Sequence, residues 1–152
     1  MLNLHPSTLN CKLLRSDAVL PHRATDGSAG YDLCACIDAP IALEPGGRAV
    51  IPTGIAIALP SNNMAAFIFA RSGLAVKHGI APANAVGVID SDYRGEILVG
   101  LTNHYQEPYT IKPGERIAQM VIMPVLLPEI VAADTLTETE RGAGGFGSTG
   151  KI

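Results

Sequence analysis

Tryptophan is absent from this 152-residue chain, aromatic residues make up only 5% and charged residues only 16%. With 47% hydrophobic residues the chain can bury a core, which excludes the disordered class. No apolar run approaches the ~18 residues that a membrane-spanning helix needs. A basic excess is also missing: 11 Lys and Arg stand against 14 Asp and Glu, for a net charge of −3. That balance argues against a stable nucleic-acid partner. Residues Met1 to Pro6 lack the charged start and apolar block of a signal peptide. The expectation is one domain of a soluble, cytoplasmic protein, with no membrane contact.

Cysteine is scarce, with Cys11, Cys34 and Cys36 alone. An odd count without a secretion signal argues against a disulfide framework. The four histidines are scattered, and no zinc-ligand spacing appears. Cys34 and Cys36 read as buried free thiols on one face of a strand.

What is plentiful is punctuation. Sixteen glycines and 11 prolines are spread along the chain and cut it into short apolar runs. Cys11 to Leu14, Tyr31 to Cys36, Ala49 to Ile51, Ile55 to Leu59, Ala65 to Ala70, Val86 to Ile89, Ile97 to Leu101 and Ile117 to Val125 read as strands. Ile55, Ile57 and Leu59 alternate with alanines, the period of a half-buried sheet. Turns are expected at Glu44 to Gly47, Pro60 to Asn63 and Lys112 to Gly114. Many short strands with frequent turns predict an all-β barrel or sandwich. At most one short helix is expected, from Ser72 to His78 behind a Ser cap. Residues 1–140 form this barrel domain, and 141–152 form a mobile glycine-rich arm of the same domain.

Two glycine motifs in that arm mislead. Gly142 to Gly147 fits the dinucleotide pattern G-x-G-x-x-G, and Gly145 to Lys151 fits most of a P-loop. Both patterns work by presenting phosphate to the start of a following helix. Only Ile152 follows Lys151, where a P-loop has Ser or Thr. Weaker chemistry survives: backbone N–H groups, Arg141, Ser148 and Thr149 suit phosphate, and Phe146 can stack on a base.

Five polar islands interrupt the apolar pattern. Ala29 to Leu33 places Asp32 inside an apolar strand, where a carboxylate must be hydrogen-bonded or paired. Arg71, Ser72 and Gly73 offer a cationic fork beside a turn, suited to polyphosphate or simply to a capped turn. Gly87 to Gly95 carries Asp90, Asp92 and Tyr93. Asp90 closes an apolar run, which would desolvate it in part and make it a better base. The other reading of this island is an Asp-rich hairpin turn. Upstream, Asn84 has the donor and acceptor pairing that reads a uracil edge. Gly114 to Met120 buries Gln119, whose amide needs partners. Arg141 to Gly147 is the glycine-rich arm.

In this order the five islands resemble the trimeric dUTPase family, the deoxyuridine 5′-triphosphate nucleotidohydrolases. Two departures stand out: Ala70 sits where that family often has proline, and Ala81 to Ala83 are an unusual lead-in to Asn84. The resemblance implies a jelly-roll-like β-barrel (a β-clip) and a homotrimer with active sites shared between subunits. It implies hydrolysis of dUTP to dUMP and pyrophosphate, which limits uracil incorporation into DNA and supplies dUMP for dTMP synthesis. Mg2+ rides on the triphosphate, and Asp32 meets it through water. Asp90 is the matching catalytic base, in preference to Asp92. Tyr93 packs beneath the deoxyribose. Asn84, the backbone of Gly87, Val88 and Ile89, and nearby Leu98 bind uracil. Arg71, Ser72, Gly73 and Gln119 hold phosphates. From the arm, Arg141 grips the triphosphate, Phe146 covers the base, and Gly147 and Ser148 close on the phosphates. The rivals are a dCTP deaminase of similar fold, a nucleotide-binding regulatory module without turnover, and a structural barrel subunit.

Overall fold

Period-two stretches bounded by Gly, Pro and Asn have one low-energy outcome, which is antiparallel pairing that buries every second side chain. The computed structural model describes residues 8–145 and shows that outcome. In chain order the elements are β1 (Asn10–Leu13), β2 (Tyr31–Cys34), β3 (Ile41–Leu43), β4 (Arg48–Pro52), β5 (Ile55–Ala58), β6 (Met64–Phe69), α1 (Ser72–His78), β7 (Ile80–Pro82), β8 (Gly87–Ile89), β9 (Leu98–Asn103), β10 (Tyr109–Ile111) and β11 (Arg116–Pro124). They form a four-stranded sheet β2-β11-β6-β8, a three-stranded sheet β4-β9-β7, and the pairs β1-β5 and β10-β3. The fold is the all-β, jelly-roll-like barrel expected, with one short helix. Among the described residues no helix is long and apolar enough to cross a membrane.

The inward residues of all four sheets meet in one core. Leu33, Leu43, Ile51, Ile55, Ile80, Ile97, Leu101, Ile111, Ile117 and Met120 are essentially sealed from solvent. Burying side chains of this size contributes about 1.5–3 kcal/mol each, the main drive to this fold.

All eight expected strands form, most with ends shifted by a residue or so. β2 stops earlier than expected. The Ala35 N–H donates to Glu115 O and the Cys36 N–H to Pro52 O, so the chain leaves one sheet for the next at this point. Cys34 and Cys36 are both buried and free, but only Cys34 lies on the strand. Burial pushes both thiols up from their ordinary pKa. Three strands were not expected: β3, β7 and β10. Each has three residues, too few to show a period, and each is defined by its partner.

The expected turns form. The Gly47 N–H donates to Glu44 O at 2.7 Å and the Glu115 N–H to Lys112 O at 3.1 Å. Helix α1 occupies the predicted residues, but its cap is Arg71 in extended conformation, with no side-chain cap bond. Ser72 is therefore the first helical residue and not the cap. Gly79 ends the helix at φ 68°, a left-handed conformation that suits glycine.

Thr53 and Asn103 are polar residues of the core, and Thr53 donates its hydroxyl to Ile97 O at 2.6 Å. Asn103 is completely buried, donates from Nδ2 to Leu43 O (2.9 Å) and Glu107 O (2.8 Å), and accepts from the Tyr105 N–H (2.9 Å). It ties β3, the end of β9 and the following turn together. Asn103→Leu keeps the branched shape of the side chain and leaves those backbone groups unpaired. Chemical denaturation should show a loss of about 2–3 kcal/mol or more, and a loss below about 1 kcal/mol would contradict this role.

Tyr109 donates its hydroxyl to Glu115, whose other oxygen accepts from the Lys112 N–H at 2.9 Å. Burial first, then this bond, pushes the phenol up to about 12. The unfolded chain loses that proton near pH 10 while the folded one keeps it, so stability should fall as pH rises from 10 to 12. Tyr109→Phe should flatten that part of the stability curve. An unchanged slope in the variant would remove Tyr109 from the account.

Candidate active site

The central sheet sets the first group of site residues. Asp32 on β2 is directly opposite Gln119 on β11, and Gln119 is directly opposite Phe69 on β6. Opposed residues share a face, so this row points one way. Arg71, two residues beyond Phe69, continues along that face. A cleft of about 370 Å³ opens there, lined by Asp32, Arg71, Ser72, Gly73, Arg116 and Gln119 among others. Five of the residues expected to hold phosphate or metal thus come together.

Asp32 organises the cleft. It is only 9% exposed, and each carboxylate oxygen accepts from a different arginine. Arg71 Nε donates to Oδ1 at 2.8 Å and Arg116 Nη1 to Oδ2 at 2.9 Å. Arg71 Nη1 also donates to Arg116 O at 3.1 Å. A carboxylate this buried is tolerated only with such partners. Two guanidinium groups against one carboxylate leave one surplus positive charge. Gln119 donates from Nε2 to Ala70 O at 2.9 Å, which fixes the residue before Arg71. Gly30 lies hard against this amide: a Cβ there would fall 2.6 Å from Gln119 Oε1.

Arg116 escaped the sequence reading for a physical reason. By simple alternation, residues 116 and 119 fall on opposite faces of a strand. A β-bulge between Arg116 and Ala118 shifts the register, so Arg116 is opposite Cys34 and Ala118 opposite Leu33. The bulge turns Arg116 onto the face of Asp32 and Gln119, as bulges beside sites do. The signal available in sequence was a cation at the edge of the Gly114 to Met120 island.

The second group lies on the segment from β7 to β9. In the unusual lead-in, Ala81 and Pro82 prove to be strand and Ala83 opens the turn. Ala81 and Pro82 pair with Thr102 and Leu101, and the Ala83 N–H donates to Gly100 O at 2.8 Å. The following turn is tight: the Ala85 N–H reaches Pro82 O, the Val86 N–H reaches Asn84 O, and Ala85 adopts φ 64°. The turn brings Asn84 back over Gly87, whose missing Cβ would lie 3.8 Å from Asn84 Nδ2 and 3.1 Å from Ile68 Cβ. Val88 and Leu98 are about half exposed, and Ile89 is half-buried.

Asp90 follows directly and is exposed in the chain. The expected partial desolvation by its own apolar run is not present, because β8 is an edge strand and ends at Ile89. Tyr93 is held by its N–H to Asp90 O at 3.2 Å and by its hydroxyl to Glu96 O at 3.0 Å. Gly95 packs against the ring, where a Cβ would come within 2.6 Å of Cζ. Arg94 Nη1 donates to Ser91 O and Tyr93 O and braces the loop.

The two groups do not meet within one chain. β8 runs antiparallel to β6, with Ile89 opposite Ala66, so Asp90 lies at the Ala65 end of β6. Arg71 lies beyond the other end. The six steps from Ala65 to Arg71, at about 3.3 Å each, span about 20 Å. No single bond centre is within reach of both side chains. Beyond β11 the described chain has no regular secondary structure and leaves Leu126, Leu127, Ile130, Val131 and Leu136 at least 70% exposed. Arg141 is exposed and donates from Nε to Gly144 O. Phe146, Gly147 and Ser148 lie outside the described residues.

Among the described residues no three His, Cys, Asp or Glu side chains converge as a metal cage. The donor set suits a cation that arrives on an anionic ligand. A carboxylate has about four acceptor positions, and Asp32 uses two on the arginines, leaving two for water.

The dUTPase family model matches residues 16–150. The chain is 60% identical over 131 residues to the deoxyuridine 5′-triphosphate nucleotidohydrolase of Desulfitobacterium hafniense, covering 86% of this chain and 87% of that protein. It is 52% identical over 140 residues to that of Coxiella burnetii, covering 92% of each. Of solved structures, it is similar to the Staphylococcus bacteriophage 80alpha dUTPase with dUPNHPP, with a TM-score of 0.84 and 31% identity over 95% of this chain and 99% of that one. It is similar also to a mutant dUTPase of S. aureus phage phi11, studied for the coordination of a structural Mg(II) ion. That TM-score is 0.75, at 27% identity over 85% and 98% of the two chains. The family model and these relatives cover most of the sequence: the chain belongs to the dUTPase family.

Proposed function

We propose that this chain hydrolyses dUTP to dUMP and pyrophosphate, as a homotrimer whose subunits share each active site. The observation that carries this reading is the division of the site into two halves about 20 Å apart on one chain. One half is a cationic cleft without a free carboxylate. The other is the β7–β9 segment, with Asn84, Tyr93 and an exposed carboxylate, Asp90. A second copy that docks its hairpin onto the first copy's cleft completes a site for one nucleoside triphosphate.

The chemistry follows from what each half offers. Asn84 pairs its amide with the uracil edge, with backbone groups of Gly87, Val88 and Ile89, and Leu98 packs alongside. Cytosine presents the reverse donor and acceptor order and leaves these groups unpaired. Tyr93, fixed by its two bonds, lies beneath the sugar and excludes a 2′-hydroxyl. Arg71, Ser72, Gly73 and Gln119 hold the phosphates across the interface. Asp90 accepts a proton from the water that attacks the α-phosphorus, and pyrophosphate leaves in line. Mg2+ on the triphosphate supplies charge neutralisation, and Asp32 would hold it through water with its two remaining acceptor positions. Docking also desolvates Asp90, which the single chain leaves exposed. The arm of a third chain completes the site, with Arg141 on the triphosphate, Phe146 over the base, and Gly147 and Ser148 at the phosphates. The exposed apolar stretch after β11 suits a segment that runs over another subunit.

Pyrophosphate release measured across dUTP, dCTP, dTTP and UTP tests the reading. dUTP should be turned over with a preference on the order of 10⁴ over dCTP. Ammonia release from dCTP without pyrophosphate would make the chain a deaminase instead. Asp90→Asn should bind nucleotide normally and lose about 10²–10⁴ in kcat. Near-normal turnover by that variant would remove Asp90 as the base.

A further inference from the structure

We propose that Arg116 supplies the surplus positive charge that makes the cleft attract a polyphosphate, which makes it a substrate-binding residue beside Arg71. This rests on the reading of the chain as a dUTP hydrolase. Arg71 and Asp32 alone form a neutral pair, with no net pull on an anion. Arg116 changes that balance to one net positive charge in the same cleft. Its placement is built: the β-bulge at Ile117 turns the side chain onto the cleft face against simple alternation.

The donors also point to a ligand. A guanidinium has five N–H groups. Arg71 commits Nε to Asp32 and an Nη1 proton to Arg116 O. Arg116 commits one Nη1 proton to Asp32. Its side chain is 47% exposed, so its other donors are open to an incoming anion. The bond between Arg71 and the backbone of Arg116 holds the two forks side by side, with Asp32 fixing both. A planar fork so oriented suits two oxygens of one phosphate or of neighbouring phosphates.

The test uses the full-length protein and compares Arg116→Gln with Arg116→Lys. Equilibrium binding is measured with dUMP and with the imido analogue dUpNHpp, and dUTP hydrolysis is followed in parallel. Arg116→Gln should weaken dUpNHpp about tenfold or more and leave dUMP unchanged, because the loss scales with phosphate charge. Arg116→Lys should fall between that variant and wild type, keeping the charge and losing the fork. Unchanged dUpNHpp binding by Arg116→Gln would overturn the proposal. So would equal losses for dUMP and dUpNHpp, which would make Arg116 a brace for the fold. If the wild-type protein itself releases no pyrophosphate from dUTP, the functional reading fails first. Wild-type turnover with an unaffected Arg116→Gln variant overturns the Arg116 proposal alone.

Discussion

One buried carboxylate held by two arginines decides the shape of this site. Asp32 sits on the cleft-facing row of the central sheet but is only 9% exposed, so a lone charge there would be costly. Arg71 arrives from the end of β6 and Arg116 from the bulge of β11, and each takes one oxygen. Three strands are thereby locked at the cleft by charge-assisted bonds, which are about twice as strong as neutral ones. The guanidinium groups cannot swing away without leaving Asp32 unpaired. The cleft is therefore organised before any nucleotide arrives, and little ordering is left for the binding step.

The barrel that supports this cleft also keeps it apart from the Asp90 carboxylate. β6 is the common rail: the cleft lies past its end and the Asp90 hairpin pairs along its start. A rigid antiparallel ladder of this kind cannot fold the two ends together. The proposed assembly would bring the two together, and the surface is consistent with it. Val50, Val88 and Leu98 are more than half exposed on short strands of small residues. With charged residues at only 16%, such apolar surface needs a partner. In the proposed trimer, the covering of that surface and the completion of the site are one event.

Much of this was legible in the sequence, for identifiable reasons. Ile55 and Ile57 alternate with alanine because β5 has one face in the core, and that period survives without context. The Glu44 to Gly47 and Lys112 to Gly114 turns carry their chemistry in their own residues. Asp32 and Gln119 stood out because polar residues inside apolar runs need partners, which they find in Arg71, Arg116 and Ala70 O, whereas the grouping with Arg71, Ser72 and Gly73 rested on the family resemblance. Other features depend on neighbours in space. The strands Ile41–Leu43 and Tyr109–Ile111 exist because they pair with one another. Arg116 was hidden by a bulge, which breaks the alternation a reader relies on. The exposure of Asp90 follows from its place after an edge strand, which no local pattern reveals.

In the proposed trimer the cationic cleft and the carboxylate of one site come from different chains. Two variants, Asp90→Asn and Arg71→Ala, should each be inactive alone. Unfolded together in equal amounts and refolded, they form mixed trimers in which some sites combine the intact Asp90 of one chain with the intact Arg71 of another. The account predicts that dUTP hydrolysis returns on mixing, to about a quarter of the wild-type level if assembly is random and each site draws the two groups from different chains. A refolded mixture that forms trimers and remains as inactive as its components would contradict it.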